Sequence, residues 1–305
     1  MEKQIRSLLR KHGIRLRKRW GQNFLKDKEV LEKIIQGAEL SKNDLVLEIG
    51  AGTGVLTEKL AESAFKVIAV EWDKKLCGIL RERLASFDNV VIVQDDILKV
   101  DLRETLPVFN CRPPDSCSIR VVGNLPYYIT TPIVFHLLKQ KSLFNLFVIM
   151  VQREVAERMA AVPGSKDYGV LTLACRYHAE VEIIAQVGRE SFFPSPGVDS
   201  ALVRMKVLKE PRVKVEDEKA LFSLIKSSFG QRRKTLENAL LSGRYLGLKR
   251  EELRRTLEEA GIEGRRRGET LSLEEFARLS NVLNYLRNKA QSDKGTQAQS
   301  ENRKE

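Results

Sequence analysis

The run Leu45-Val46-Leu47-Glu48-Ile49 stops against Gly50-Ala51-Gly52-Thr53-Gly54, and helical spacing resumes at Val55. A short apolar stretch ending on glycines reads as a buried strand. The glycine turn after it lets the backbone approach a ligand and aims helix N–H groups at it. The same alternation continues on both sides. Val30, Leu31, Ile34, Ile35 and Ala38 predict a helix over 28–38, and helices are predicted over 55–64, 74–86 and 131–140. Strands are predicted over 66–71, 90–94, 120–123 and 146–151. Strand–helix alternation implies parallel βαβ units, so the expected fold class is α/β with a doubly wound, Rossmann-like sheet. Strands that come closer together between 167 and 207 predict an antiparallel edge hairpin on it.

Near 209–217 the pattern changes. Pro211 and mixed charges suggest a linker, and beyond it the spacing predicts only helices, over 217–229, 231–241, 249–260 and 272–288. The expected organisation is therefore a basic N-terminal arm (1–20), an α/β domain (21–208), a small all-α domain (209–288) and a disordered polar tail (289–305). No apolar run approaches the length of a membrane span. Four cysteines without a CxxC pair suggest reduced thiols, no disulfide framework and a cytoplasmic protein.

The net charge of +12 is concentrated in three places. Residues 1–20 hold eight basic residues, Arg17, Lys18 and Arg19 among them, against Glu2 alone. Arg232-Arg233-Lys234 and Arg265-Arg266-Arg267 follow. One such run is commonly a solvated helix face; three flanking a neutral middle point to a polyanion, with nucleic acid first. An Arg-rich leader is also the composition of a transit peptide, but this one holds one Ser and runs straight into Gly21-Gln22-Asn23-Phe24-Leu25.

Glu48 to Gly54 does not fit the nicotinamide fingerprint, because the third glycine comes one place early. E-x-G-x-G-x-G is the pattern of S-adenosylmethionine methyltransferases. Glu71 ends the next strand and can accept from both ribose hydroxyls. Asp96 ends the third strand and can accept from an adenine amino group. Asn124-Leu125-Pro126-Tyr127 ends the fourth. An adenine N6 is a poor nucleophile because its lone pair is delocalised into the ring. The Asn124 side-chain oxygen, with the carbonyl of Leu125 or Pro126, can accept both N6 hydrogens and favour a pyramidal nitrogen. Tyr127 can stack on the base. Phe192-Phe193-Pro194-Ser195-Pro196 offers a second aromatic face, with plain core packing as the ordinary alternative. No metal-ligand or Ser/His/Asp cluster is visible, and His12, His136 and His178 are scattered.

On these motifs the chain resembles the KsgA-type small-subunit ribosomal RNA adenine dimethyltransferases. The matching pieces are GQNFL (21–25), EIGAGTG (48–54), Glu71, Asp96, NLPYYITTP (124–132), MVQREVAERM (150–159), PGSKDYG (163–169), FFPSPGVDSA (192–201) and FGQRRKTL (229–236). The resemblance implies S-adenosyl-L-methionine contacts at Asn23, Leu25, Gly50, Glu71, Asp96 and Asn124. It implies a catalytic loop at Asn124, Leu125, Pro126 and Tyr127 faced by Phe192. It also implies a substrate of two adjacent adenosines near the 3′ end of small-subunit RNA in an immature 30S particle. RNA contacts are expected at Arg232, Arg233, Lys234, Arg17, Lys18 and Arg19, with no metal, no membrane and a monomeric enzyme. Residues 110–118 read as an insertion. Two rivals share the first domain: a large-subunit adenosine methyltransferase, disfavoured by FGQRRKTL, and a non-catalytic binding factor, disfavoured by the intact EIGAGTG and NLPY.

Overall fold

The computed structural model describes residues 1–14, 22–108, 119–243 and 249–301, without the side chains of 106–108 and 290–301. Arg17, Lys18, Arg19, Gly21 and the 110–118 insertion lie outside the described residues. The chain divides into two compact units, Met1–Ala160 with His178–Glu210, and Ala161–Tyr177 with Pro211–Glu305.

In the first unit, α1 (Glu2–Lys11) precedes β1 (Phe24–Leu25), α2 (Lys28–Ala38) and β2 (Leu45–Ile49). Then come α3 (Val55–Ser63), β3 (Lys66–Val70), α4 (Lys74–Arg83), β4 (Val90–Val93), α5 (Leu102–Val108), β5 (Ile119–Asn124), α6 (Thr130–Lys139), β6 (Leu146–Gln152) and α7 (Arg153–Ala160). Following α8 (Val170–His178) are β7 (Ala179–Val187), β8 (Phe192–Phe193) and β9 (Ser200–Val207). Seven strands form one sheet in the order β4-β3-β2-β5-β6-β9-β7. The first five are parallel, and β9 and β7 add antiparallel neighbours at one edge. The strand order reverses between β2 and β5, which opens a crevice at their carboxyl ends. Gly123 lets these two strands run close there: a Cβ at 123 would lie 2.5 Å from the Ile49 carbonyl oxygen. A separate two-stranded antiparallel ribbon pairs β1 with β8, Phe24 opposite Phe193 and Leu25 opposite Phe192.

The side chains say why the helices start where they do. Asp27 and Asp73 accept from the first free N–H groups of α2 and α4, and Asp217 does the same for α9 (Glu218–Phe229). In the second unit, α9 is followed by α10 (Leu236–Ser242), α11 (Arg250–Glu259) and α12 (Leu273–Glu301). Its core gathers Leu221, Leu224, Ile225, Leu236, Leu240, Leu257, Phe276 and Leu279 around Tyr168. The Tyr168 hydroxyl donates to the Leu271 carbonyl at 2.9 Å.

Four expectations are corrected. The first residues are not a free arm: charge hid an amphipathic spacing, and α1 buries Ile5 and Leu9 in the core of the first unit. The domain boundary is not a single cut, because 161–177 belong to the helical unit, and α8 occupies part of a stretch read as strands. The helix expected from 231 begins at Leu236, where the Thr235 hydroxyl accepts from the Asn238 N–H. The backbone remains helical through Glu301 instead of ending in disorder at 289. Residues 289–301 contain no proline and one glycine, and Lys, Ala, Gln and Glu are good helix formers. Among the described residues no helix is long and apolar enough to cross a membrane, and no His/Cys/Asp/Glu group is suited to a metal ion.

The Gly123 contact gives a stability test. Gly123→Ala is expected to lower the unfolding free energy by about 1–3 kcal/mol, because the added methyl meets backbone and not a flexible side chain. Urea denaturation reads this directly; unchanged stability would show that β5 can move away from β2.

Candidate active site

The crevice at the ends of β2 and β5 encloses about 750 Å³ open to solvent, lined by Asn23 to Leu25, Gly50 to Thr53, Glu71, Trp72, Asn124 and Pro126 among others. A second recess shares Gly50, Trp72 and Pro126 with it and adds Asp95, Asp96, Ile97 and Tyr128. The cofactor residues expected from the sequence therefore line two adjoining hollows: Asn23, Leu25, Gly50, Glu71 and Asn124 the first, Asp96 the second.

The glycine turn fits an adenosyl ligand. Gly52 sits at φ 58°, and a Cβ there would come within 3.1 Å of the Phe24 ring. Its N–H donates to Glu71 Oε2 at 3.0 Å, and the Asp73 N–H donates to Oε1 at 3.0 Å. The Trp72 backbone also bonds this carboxylate, which still has acceptor capacity toward a hydroxyl. Burial raises the Glu71 pKa, against the pull of those N–H groups. Glu48, also on the crevice wall, is 1% exposed, and its Oε2 has no hydrogen-bond partner. Burial pushes its pKa up to about 8, with Thr57 pulling the other way. Asp96 is half-buried and accepts from the Leu98 N–H at 3.1 Å, one bond of several it can make.

The loop after β5 is tightly constrained. Leu125 N–H donates to the Met150 carbonyl at 3.0 Å. The Pro126 carbonyl accepts from the Ile129 N–H at 3.2 Å and the Thr130 hydroxyl at 3.1 Å. Asn124 Nδ2 donates to the Asn23 carbonyl at 2.8 Å, while its Oδ1 is buried without a partner on the crevice wall. With the Pro126 carbonyl engaged twice, the Leu125 carbonyl is the better second acceptor for an amino group. Tyr127 is half-buried, and its hydroxyl bonds Ser200.

Three aromatic residues differ from expectation. Phe192 is 1% exposed and packs in the core of the first unit, so in this arrangement it offers no face to a base. Trp72 and Tyr128, which sequence reasoning missed, are 45% and 53% exposed at the second recess. The available signal was position: each directly follows a residue at the carboxyl end of a strand or in the loop after it.

In the helical unit, Arg232 donates to the Lys166 and Tyr168 carbonyls, both at 2.7 Å, and faces Glu269. It is a tie within the fold. Arg233 and Lys234 are exposed, with no ion pair among the described residues. The Leu236 N–H to Arg266 carbonyl bond of 2.6 Å brings the 232–234 and 265–267 runs into one patch.

Residues 13–284 match the family model for ribosomal RNA adenine dimethylases. The chain belongs to that family. It is 46% identical over 278 residues to the ribosomal RNA small subunit methyltransferase A of Alkaliphilus metalliredigens, covering 91% of this chain and 95% of that one. A dimethyladenosine transferase from Plasmodium falciparum superposes with a TM-score of 0.71 at 27% identity, over 84% of this chain and 95% of the other. The 23S rRNA methyltransferase ErmE gives 0.63 at 29% identity, over 86% of this chain and all of the other. Family membership makes the protein an S-adenosylmethionine-dependent methyltransferase of adenine in ribosomal RNA.

Glu48 makes stability depend on pH. Its folded pKa of about 8 lies above the ordinary 4.5, so its contribution is fully present below about pH 4.5 and is lost as pH rises through about 8. Glu71 acts in the same direction. The melting temperature should fall between pH 5 and pH 9, and Glu48→Gln should flatten that fall. Parallel pH profiles for the two proteins would show that Glu48 is not held neutral by the fold.

Proposed function

We propose that the protein dimethylates N6 of two adjacent adenosines near the 3′ end of small-subunit ribosomal RNA, in an immature 30S particle, as a monomeric cytoplasmic enzyme. The observation that carries the reading is the Asn124 amide, anchored through Nδ2 at 2.8 Å with a buried, unpartnered Oδ1 on the crevice wall. The relative of known name at 46% identity supports the small-subunit choice over the large-subunit one.

Glu71 would hold the ribose hydroxyls, Asp96 the adenine amino group, and Gly50, Asn23 and Leu25 the rest of the cofactor through the backbone. When bound, S-adenosylmethionine supplies an electrophilic methyl on a sulfonium. Asn124 Oδ1 and the Leu125 carbonyl would accept the two N6 hydrogens of the target adenine. Two fixed acceptors favour a pyramidal N6 whose lone pair is no longer delocalised into the ring, which makes the nitrogen nucleophilic. A positively charged N6 is strongly acidic and loses its proton to water, so no side-chain base is required. Tyr127, held by Ser200, would stack on the base. Phe192 could serve as the opposing wall only after β8 turns it out of the core. Arg233 and Lys234 would grip RNA phosphates.

Asn124→Ala should leave S-adenosylhomocysteine affinity nearly unchanged and cut methyl transfer by about 10²–10³-fold, the cost of losing one preorganised polar contact. Tritiated methyl incorporation into small-subunit and large-subunit particles from an unmethylated strain measures both rate and substrate. Full turnover of the variant would remove Asn124 from the mechanism; label in the large subunit alone would overturn the substrate.

The basic patch divides by role. Arg233→Ala with Lys234→Ala should keep the melting temperature and lower the slope of log K against log salt for particle binding by about 1.4–1.8, two phosphate contacts. Arg232→Ala should instead lower the melting temperature. An unchanged slope in the double variant would take this patch out of RNA binding.

A further inference from the structure

The carbonyl that orients Asn124 belongs to Asn23, at the start of the β1–β8 ribbon. A ribbon with two residues on each strand cannot hold its own shape. Two bonds tie its far end: Lys26 N–H donates to the Ser191 carbonyl at 2.9 Å, and the Ser191 hydroxyl to Asp27 Oδ2 at 2.8 Å. The ribbon's aromatic side chains also sit in an apolar cluster with Val30, Val55 and Leu56, and α1 adds contacts of its own. Ile5 and Leu9 pack in one apolar cluster with Phe24, Leu25 and Phe192. Glu2 bridges Arg6 and Lys26, each at 2.7 Å, so the same carboxylate reaches the helix and the end of β1. The Arg6 guanidinium sits 4.0 Å over the centre of the Phe193 ring. Phe193 lies opposite Phe24, the residue next to Asn23.

We propose that Arg6 is a positioning residue for methyl transfer: seated on Phe193, it fixes the β1–β8 ribbon and, through the Asn23 carbonyl, the orientation of the Asn124 amide. The inference rests on the reading of Asn124 as an acceptor for N6. Its physical content is the two-fold ambiguity of an amide. Without the Asn23 carbonyl in place, Asn124 can turn over and present N–H groups where the N6 hydrogens arrive. Donor would then face donor, and the ordered, reactive arrangement would be only a fraction of the population. Arg6 need not touch RNA or cofactor for this. A half-exposed cation on an aromatic face is a modest interaction, so the expected effect is modest and graded.

The test uses the full chain and small-subunit particles from an unmethylated strain, at saturating cofactor and well below the melting temperature. Arg6→Ala should lower kcat by about three- to ten-fold, with the KM for particles and the salt slope unchanged. Arg6→Lys, which keeps a cation on the ring, should recover most of the rate. Phe193→Leu should reproduce the Arg6→Ala loss, and the double variant should be no slower than Phe193→Leu alone, because both break one contact. A raised KM with a flatter salt slope and unchanged kcat would make Arg6 an RNA contact and overturn the proposal. Additive losses, or an unchanged kcat in Arg6→Ala, would overturn it too. Asn124→Ala run alongside separates the two levels. If that variant is slow while Arg6→Ala is normal, this inference alone fails; if it is normal, the acceptor reading fails and takes the inference with it.

Discussion

An amide offers a donor on one side and an acceptor on the other, and the fold must choose which faces the crevice. Here the choice is made by the 2.8 Å bond from Asn124 Nδ2 to the Asn23 carbonyl. The surrounding backbone removes the other options. Gly123 lets β5 end beside the glycine turn, the Met150 carbonyl takes the Leu125 N–H, and the Pro126 carbonyl is already bonded twice. What remains is one side-chain oxygen and one carbonyl, two acceptors for the two hydrogens of an exocyclic amine. Under the proposed function, these unbonded acceptors are what would select a planar amino nitrogen.

The same crevice carries an electrostatic cost. Glu48 and Glu71 are nearly inaccessible, and burial disfavours the charged form of both. They are managed differently. Glu71 accepts backbone N–H bonds, from Gly52 and Asp73 among others, which oppose the rise in its pKa. Glu48 leaves an oxygen without a partner, which favours a neutral carboxyl. Burial thus raises the pKa of both carboxyls, and at Glu71 the backbone N–H groups oppose that rise. Sites that bind tightly commonly hold such strained polar groups at the expense of stability.

The sheet was legible because its parallel strands are short, mostly apolar runs, and the strand ends placed Gly50, Glu71 and Asn124 at the crevice and Asp96 at the adjoining recess. Three things were not legible. The helix of residues 2–11 shows Ile5 and Leu9 at helical spacing, but its basic residues drew the reading towards a free arm. The segment 161–177 joins the helical unit by packing Tyr168 and Leu173 across about 100 residues of sequence separation, which no local pattern carries. The aromatic roles went astray because an extended, proline-flanked Phe192 looks the same whether its ring faces a crevice or a core. Burial, not composition, separates Phe192 from Trp72 and Tyr128.

Charge shows the same gap between sequence and structure. A run of arginines suggests as many phosphate contacts, yet much of this charge is already neutralised within the fold. Arg232 holds two carbonyls, Arg266 is paired with Glu275, and Arg250 and Arg254 share Glu237. Arg265 and Arg267, flanking the paired Arg266, stay exposed like Arg233 and Lys234. Alternation of this kind separates two jobs along one short segment. The bonded arginines set where the backbone runs, and their neighbours are thereby presented to solvent at fixed positions. If Arg233 and Lys234 grip phosphates as proposed, the bonded Arg232 and Arg266 hold the backbone beneath them in place.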